Sequence, residues 1–124
     1  QCFFCAKEAT IDAILCGDLP KGEPLSVARI AGIQAAKQCD TLIPLCHPLP
    51  LEFVDVQFER CDEDKISITS TAVVTGRTGI EMEALTAVSV AALALWDMAK
   101  AIDTALSIQG ITLIEKRKET VHQK

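Results

Sequence analysis

Three segments of this 124-residue chain combine reactive side chains with backbone that fixes their direction. The first is Lys21-Gly22, in a Pro-Lys-Gly loop that leads into a helix start at Pro24. Free backbone N–H groups at a helix N-terminus attract phosphate, and a lysine adds a point charge. Taken alone, a loop lysine is more often simply solvated. The second segment is Leu45-Cys46-His47-Pro48, inside a crossing that also holds Pro44 and Pro50. Prolines keep such backbone extended or turned. His47 therefore has a fixed direction, from which it can donate to phosphate or carry a proton near neutral pH. The competing reading is a capped or packed histidine. Cys46 reads as packing, because no neighbouring pattern marks a nucleophilic thiolate. The third segment is Thr75-Gly76-Arg77-Thr78-Gly79-Ile80-Glu81-Met82-Glu83, followed by Asp97 and Lys100. Its glycines allow a close backbone approach to a ligand, but the spacing is not that of a phosphate-binding P-loop. Glu81 and Glu83 stand where carboxylates also merely complement a helix dipole. Asp97 and Lys100 are i and i+3, neighbours on one helix face. Two charges in an otherwise apolar helix are seldom without a partner or a task, and such a pair can divide general base and general acid work.

The elements that must hold these groups follow from periodicity. Glu8 to Cys16 has a helical pattern closed by Gly17. A second helix is expected from Pro24 to about Gln38. Thr41 to Leu51, with three prolines, can be neither a regular helix nor a central strand. Glu52 to Arg60 and Ile66 to Thr75 alternate apolar and polar residues and predict a hairpin across a turn at 61–65. Gly76 to Gly79 reads as a turn, Ile80 to about Ala105 as a long helix, Ile111 to Ile114 as a last strand, and 117–124 as a frayed tail. This order predicts one domain over 1–124, an α+β two-layer sandwich with helices packed on one face of an antiparallel sheet. The long helix is apolar nearly all round, at Leu85, Val88, Val90, Leu93, Leu95 and Trp96. One sheet covers one side of it, so its remaining face is expected to pack on another subunit.

Composition narrows the function. Apolar residues make up 49% of the chain and charged residues 23%, enough for a core and unlike a disordered tail. The balance of 12 basic and 17 acidic residues, a net charge of −5, argues against coating nucleic acid. The uncharged run Ala84 to Trp96 is shorter than the roughly 20 residues of a membrane span. No basic segment followed by an apolar run marks a signal peptide after Gln1, so a cytoplasmic protein with six reduced cysteines is expected. Cys2 and Cys5 form a C-x-x-C pair, but a zinc site wants a second pair, and only Cys46-His47 offers one. No metal and no cofactor are expected.

Lys21-Gly22, Ala28-Arg29-Ile30-Ala31-Gly32-Ile33-Gln34-Ala35-Ala36-Lys37, Leu42 to Leu49, Thr75 to Ala87 and Trp96 to Ala101 together resemble the MoaC family. These are the cyclic pyranopterin monophosphate synthases of molybdenum cofactor biosynthesis. The resemblance runs from about Ile11 to Lys116. It implies a lyase of the phosphorus–oxygen type that converts a cyclised GTP derivative, 3′,8-cyclo-7,8-dihydro-GTP, into cyclic pyranopterin monophosphate with loss of pyrophosphate. It implies a ferredoxin-like fold and self-association, as dimers within hexamers, with sites at the dimer interface. It places catalysis on Asp97, Lys100 and Lys21, and substrate binding on Leu45, Cys46, His47, Glu81, Met82, Glu83 and Lys116, the lysine that closes the family's last strand. The chain departs from the family pattern twice. Arg117-Lys118-Glu119-Thr120 replaces a Ser-Gly-Gly-Lys-like loop, and no Met-Val-Asp-type strand is recognisable in Gln1 to Lys7. A phosphometabolite-binding homologue without turnover is the alternative, and a zinc-stabilised module on Cys2 and Cys5 is a weaker one.

Overall fold

The computed structural model describes residues 1–75 and 80–117. Its elements are β1 (Cys2–Cys5), α1 (Glu8–Cys16), α2 (Pro24–Lys37), α3 (Cys39–Leu42), β2 (Phe53–Asp62), β3 (Lys65–Val73), α4 (Glu81–Ala99) and β4 (Ser107–Gln109). The strands form one sheet in the order β2-β3-β1-β4, with every pairing antiparallel. One crossover (α1 to α3) joins β1 to β2 and the other (α4) joins β3 to β4. Each skips the strand between, which is the ferredoxin-like arrangement within the expected α+β two-layer class.

Local chemistry sets the helix ends. Gly17, at φ 72°, closes α1, and its N–H reaches the carbonyl of Ile14 at 3.1 Å. Glu23 caps α2: its carboxylate accepts from the N–H of Leu25 at 2.9 Å and of Ser26 at 2.8 Å, with Pro24 in the first turn. In the hairpin, Val56, Ile66 and Ile68 point to the helices and are buried, as alternation predicts. They join Phe4 of β1, Ile11 and Ile14 of α1, and Ala87, Val88, Ala91, Ala92 and Leu95 of α4 in one core.

The two crossover helices touch where side chains are smallest. A Cβ on Gly32 of α2 would lie 2.7 Å from the carbonyl oxygen of Ala87 and 3.0 Å from Val56 Cγ2. Backbone cannot yield as a flexible side chain does. Gly32→Ala should therefore wedge α2 from α4 and destabilise the fold by about 1–3 kcal/mol, the usual scale for overpacking. A urea midpoint that falls with an unchanged slope would register this, whereas an unchanged midpoint would mean that α2 shifts freely.

Three expectations from periodicity are corrected. Strand β1 was not foreseen. Its Cys2 and Phe4 face the helices while Phe3 and Cys5 face the other side, and with apolar residues on both faces there is no alternation to read. That geometry also sends the two thiols of the C-x-x-C pair to opposite faces, so the pair is not a chelate. Helix α4 ends at Ala99 rather than near Ala105. The cause is Asp103, which is 2% exposed. Its carboxylate accepts from the N–H of Lys7 at 3.0 Å, the hydroxyl of Thr10 at 2.8 Å and the N–H of Ala105 at 2.7 Å. Burial opposes its ionisation, but these donors prevail and its pKa is lowered. The latch turns the chain back toward β1, so the last strand is Ser107–Gln109 and not Ile111 to Ile114. Gly110, at φ 64°, closes it beside the Phe3 ring. Beyond it, Ile111, Leu113 and Ile114 are exposed, although Thr112 and Gln1 exchange two hydrogen bonds of 2.9 Å. The turn Gly76 to Gly79 and the tail from Lys118 lie outside the described residues.

Helix α4 is long and apolar enough, by length and composition alone, to cross a membrane, and 44% of its apolar window is buried inside the fold.

Candidate active site

The reactive residues gather in two clusters, one at each end of α4. At the C-terminal end, Asp97 occupies the last turn and Lys100 is the capping residue. Lys100 Nζ lies 2.8 Å from Asp97 Oδ1, so the i, i+3 neighbours form an ion pair. Lys21 Nζ lies 3.0 Å from Asp97 Oδ2. It is carried there by a tight turn in which the Gly22 N–H reaches the Leu19 carbonyl at 3.0 Å and Gly22 takes φ 119°, a conformation that favours glycine. All three charged side chains are roughly half-exposed. The hydrogen bond from Lys100, and then that from Lys21, hold the Asp97 carboxyl down to about 2. Leu93, Trp96 and Ile108 wall the adjoining cleft of about 290 Å³.

At the N-terminal end, α3 and the proline-rich crossing bend the chain over the first turns of α4. The Ile43 N–H reaches the Cys39 carbonyl at 2.8 Å and the Cys46 N–H reaches the Ile43 carbonyl at 3.0 Å. This folds Cys46 back against Cys39, with the two Sγ atoms 3.8 Å apart. Cys46 Sγ also lies 3.5 Å from Glu83 Oε2, and Cys39 Sγ lies 3.5 Å from Thr86 Oγ1. Burial, then the hydrogen bonds with Cys39 and Glu83, push the Cys46 thiol up to about 12. Glu83 is 3% exposed. Leu45, His47, Glu81 and Met82 line a second cleft of about 300 Å³ with Cys46 and Glu83. Lys116 Nζ closes its edge, 3.3 Å from Glu81 Oε2. Lys116 follows the last strand by seven residues instead of ending it.

Lys21, Asp97 and Lys100 are thus in contact, and Leu45, Cys46, His47, Glu81, Met82, Glu83 and Lys116 surround a separate cleft. One chain does not bring the two groups together. Glu83 and Asp97 are fourteen residues apart on an unbroken helix, roughly 21 Å along its axis at 1.5 Å per residue. Periodicity did not find Cys39 or Ile108, and it gave Leu93 and Trp96 only as apolar surface of the long helix. Cys39 lies seven residues before Cys46, and only the bend of the crossing makes them neighbours.

A family model described as the MoaC family matches residues 1–119. A Novosphingobium aromaticivorans protein named cyclic pyranopterin monophosphate synthase is 59% identical over 108 residues, covering 87% of this chain and 68% of that protein. Cyclic pyranopterin monophosphate synthase 1 of Mycobacterium bovis is 53% identical over 110 residues, 89% of this chain and 65% of its own length. A Pelotomaculum thermopropionicum protein named as the synthase is 53% identical over 108 residues, 86% of this chain and 64% of that protein. The chain thus spans about two thirds of the length of these relatives. With the family model covering nearly all of it and more than half of the aligned residues identical to these relatives, the chain belongs to the MoaC family.

Proposed function

We propose that this protein is a cyclic pyranopterin monophosphate synthase of molybdenum cofactor biosynthesis, a cytoplasmic, self-associating lyase. It converts the cyclised GTP derivative into cyclic pyranopterin monophosphate with release of pyrophosphate. The observation that carries this reading is the Lys21–Asp97–Lys100 contact in a chain of this family. A binder of phosphometabolites has no need of a carboxylate clamped between two ammonium groups beside an open cleft. Incubation with the cyclised substrate, with pyrophosphate release followed, tests it. Tight binding without turnover would favour the interaction-only alternative.

The reaction must open one ring, close a pterin ring, expel pyrophosphate and form a cyclic phosphate. It needs proton transfers and neutralisation of a triphosphate. The lysines, with His47, clamp phosphate oxygens and stabilise the departing pyrophosphate. Glu81 and Glu83 accept from the guanine-derived N–H edge. Asp97 at about 2 is a weak base while both lysines hold it. A triphosphate that draws the ammonium groups away raises its basicity, so substrate itself readies Asp97 for proton transfer. Each cleft, at about 290 Å³ and about 300 Å³, lies at the lower bound of ligand sites and would not enclose such a substrate alone. We therefore place the complete site between two chains, with Asp97, Lys100 and Lys21 from one and the Glu81–Glu83 cleft from the other.

Lys21→Ala should weaken binding of the triphosphate by about tenfold or more, the usual scale for a hydrogen bond to a charged group, and slow turnover. Calorimetry with substrate reads this directly. Unchanged affinity would remove Lys21 from the phosphate end.

A further inference from the structure

We infer that Cys39, Cys46 and Glu83 form a binding site for a thiophilic divalent cation, Zn²⁺, at the junction of α3, the proline-rich crossing and the first turns of α4. The inference goes beyond the synthase reading and does not depend on it.

The geometry carries it. One ligand atom from each residue lies within 4.8 Å of the other two. A tetrahedral zinc with Zn–S of about 2.3 Å and Zn–O of about 2.0 Å sets its ligands about 3.8 Å apart for sulfur to sulfur and about 3.5 Å apart for sulfur to oxygen. Here Cys39 Sγ to Cys46 Sγ is 3.8 Å, and Cys46 Sγ to Glu83 Oε2 is 3.5 Å. Two edges of the coordination polyhedron are already at their metal-bound lengths. Two of the ligands are also held rigidly, since Cys39 is 1% and Glu83 3% exposed.

The donor chemistry selects the ion. Two sulfurs and one carboxylate oxygen suit Zn²⁺ and do not suit Mg²⁺ or Ca²⁺, which take oxygen ligands. Two thiolates and a carboxylate packed together repel one another, and a dication relieves that repulsion. The Thr86 hydroxyl, 3.5 Å from Cys39 Sγ, stands where an outer hydrogen bond would support a thiolate ligand. Cys46 and Glu83 also line the cleft with Leu45, His47 and Met82, from which water would complete the coordination.

The test uses the full chain, reduced and stripped of metal, titrated with Co²⁺ alone and then with Zn²⁺. One Co²⁺ per chain is expected, with sulfur-to-cobalt charge transfer and the intense visible bands of a tetrahedral ion, displaced by Zn²⁺. Saturating Zn²⁺ should raise Tm by about 5 °C or more, since the ion binds the folded form. Cys39→Ser should weaken binding at least tenfold and abolish the Tm shift, and Glu83→Gln should weaken binding as well. Loss of the two exposed thiols, in Cys16→Ser with Cys61→Ser, should change neither readout. Should Cys39→Ser fail to fold, Cys46→Ser and Glu83→Gln carry the same expectation. Absence of a thiolate band in the parent protein would overturn the site. So would a band that survives Cys39→Ser, or one that disappears with Cys16 and Cys61.

Discussion

Asp97→Asn is expected to lower kcat by about a hundredfold or more, the usual scale for loss of a general acid or base, with no loss of folding. The amide keeps the shape and much of the hydrogen bonding of the carboxylate but removes its negative charge. In the parent protein that charge sits between Lys100 at 2.8 Å and Lys21 at 3.0 Å. In the variant, the two ammonium groups face each other across a neutral group, so both the proton acceptor and the lysine placement are lost. Asp97 is 56% exposed on its side chain, so the fold does not depend on it. Because its folded pKa is about 2, the carboxylate is ionised throughout the ordinary working range of pH. The ratio of parent to variant kcat/KM, which reports the free enzyme, should accordingly stay flat between about pH 5 and about pH 9, above carboxylates in their usual range. Turnover near the parental rate would reassign the triad to structure. A ratio that collapses toward low pH would show that Asp97 titrates far above its resting value.

Mixing two inactive variants should restore activity if the complete site spans two chains. Glu83 and Asp97 stand at opposite ends of α4, and the helix has neither Pro nor Gly to bend it. A two-fold contact that laid antiparallel copies of α4 side by side would bring Asp97 and Lys100 of one chain to the Glu81–Glu83 cleft of the other. Leu93 and Trp96, 57% and 37% exposed on the Asp97 side, supply apolar surface for such a contact. Glu83→Gln and Asp97→Asn, each nearly inactive alone, would then form mixed dimers with one doubly altered site and one intact site. Each mixed dimer should regain about half the parental activity. Persistent inactivity after demonstrated subunit exchange would mean that each site is built within one chain.

What could be read without coordinates was whatever is encoded by neighbours in the chain. Helix α1 was legible over Glu8 to Cys16 because its apolar period and closing Gly17 are local. The hairpin was legible because one covered face imposes strict alternation on Val54, Val56 and Phe58. The Asp97–Lys100 pair was legible because i, i+3 spacing on a helix forces proximity. Motif residues of the MoaC family, Leu45 to His47 and Glu81 to Glu83 among them, were legible as types in order along the chain. Long-range contact decided the rest. Strand β1 exists because β3 and β4 pair with it from either side, and a four-residue apolar run carries no period of its own. Helix α4 stops at Ala99 because Asp103 is held by Lys7 and Thr10, more than ninety residues earlier. Lys21 meets Asp97 across 76 positions, and Cys39 meets Cys46 only because the chain bends back through Ile43 and Pro44. Periodicity reports which face of an element is covered. It does not report by what, because that depends on where a distant segment returns.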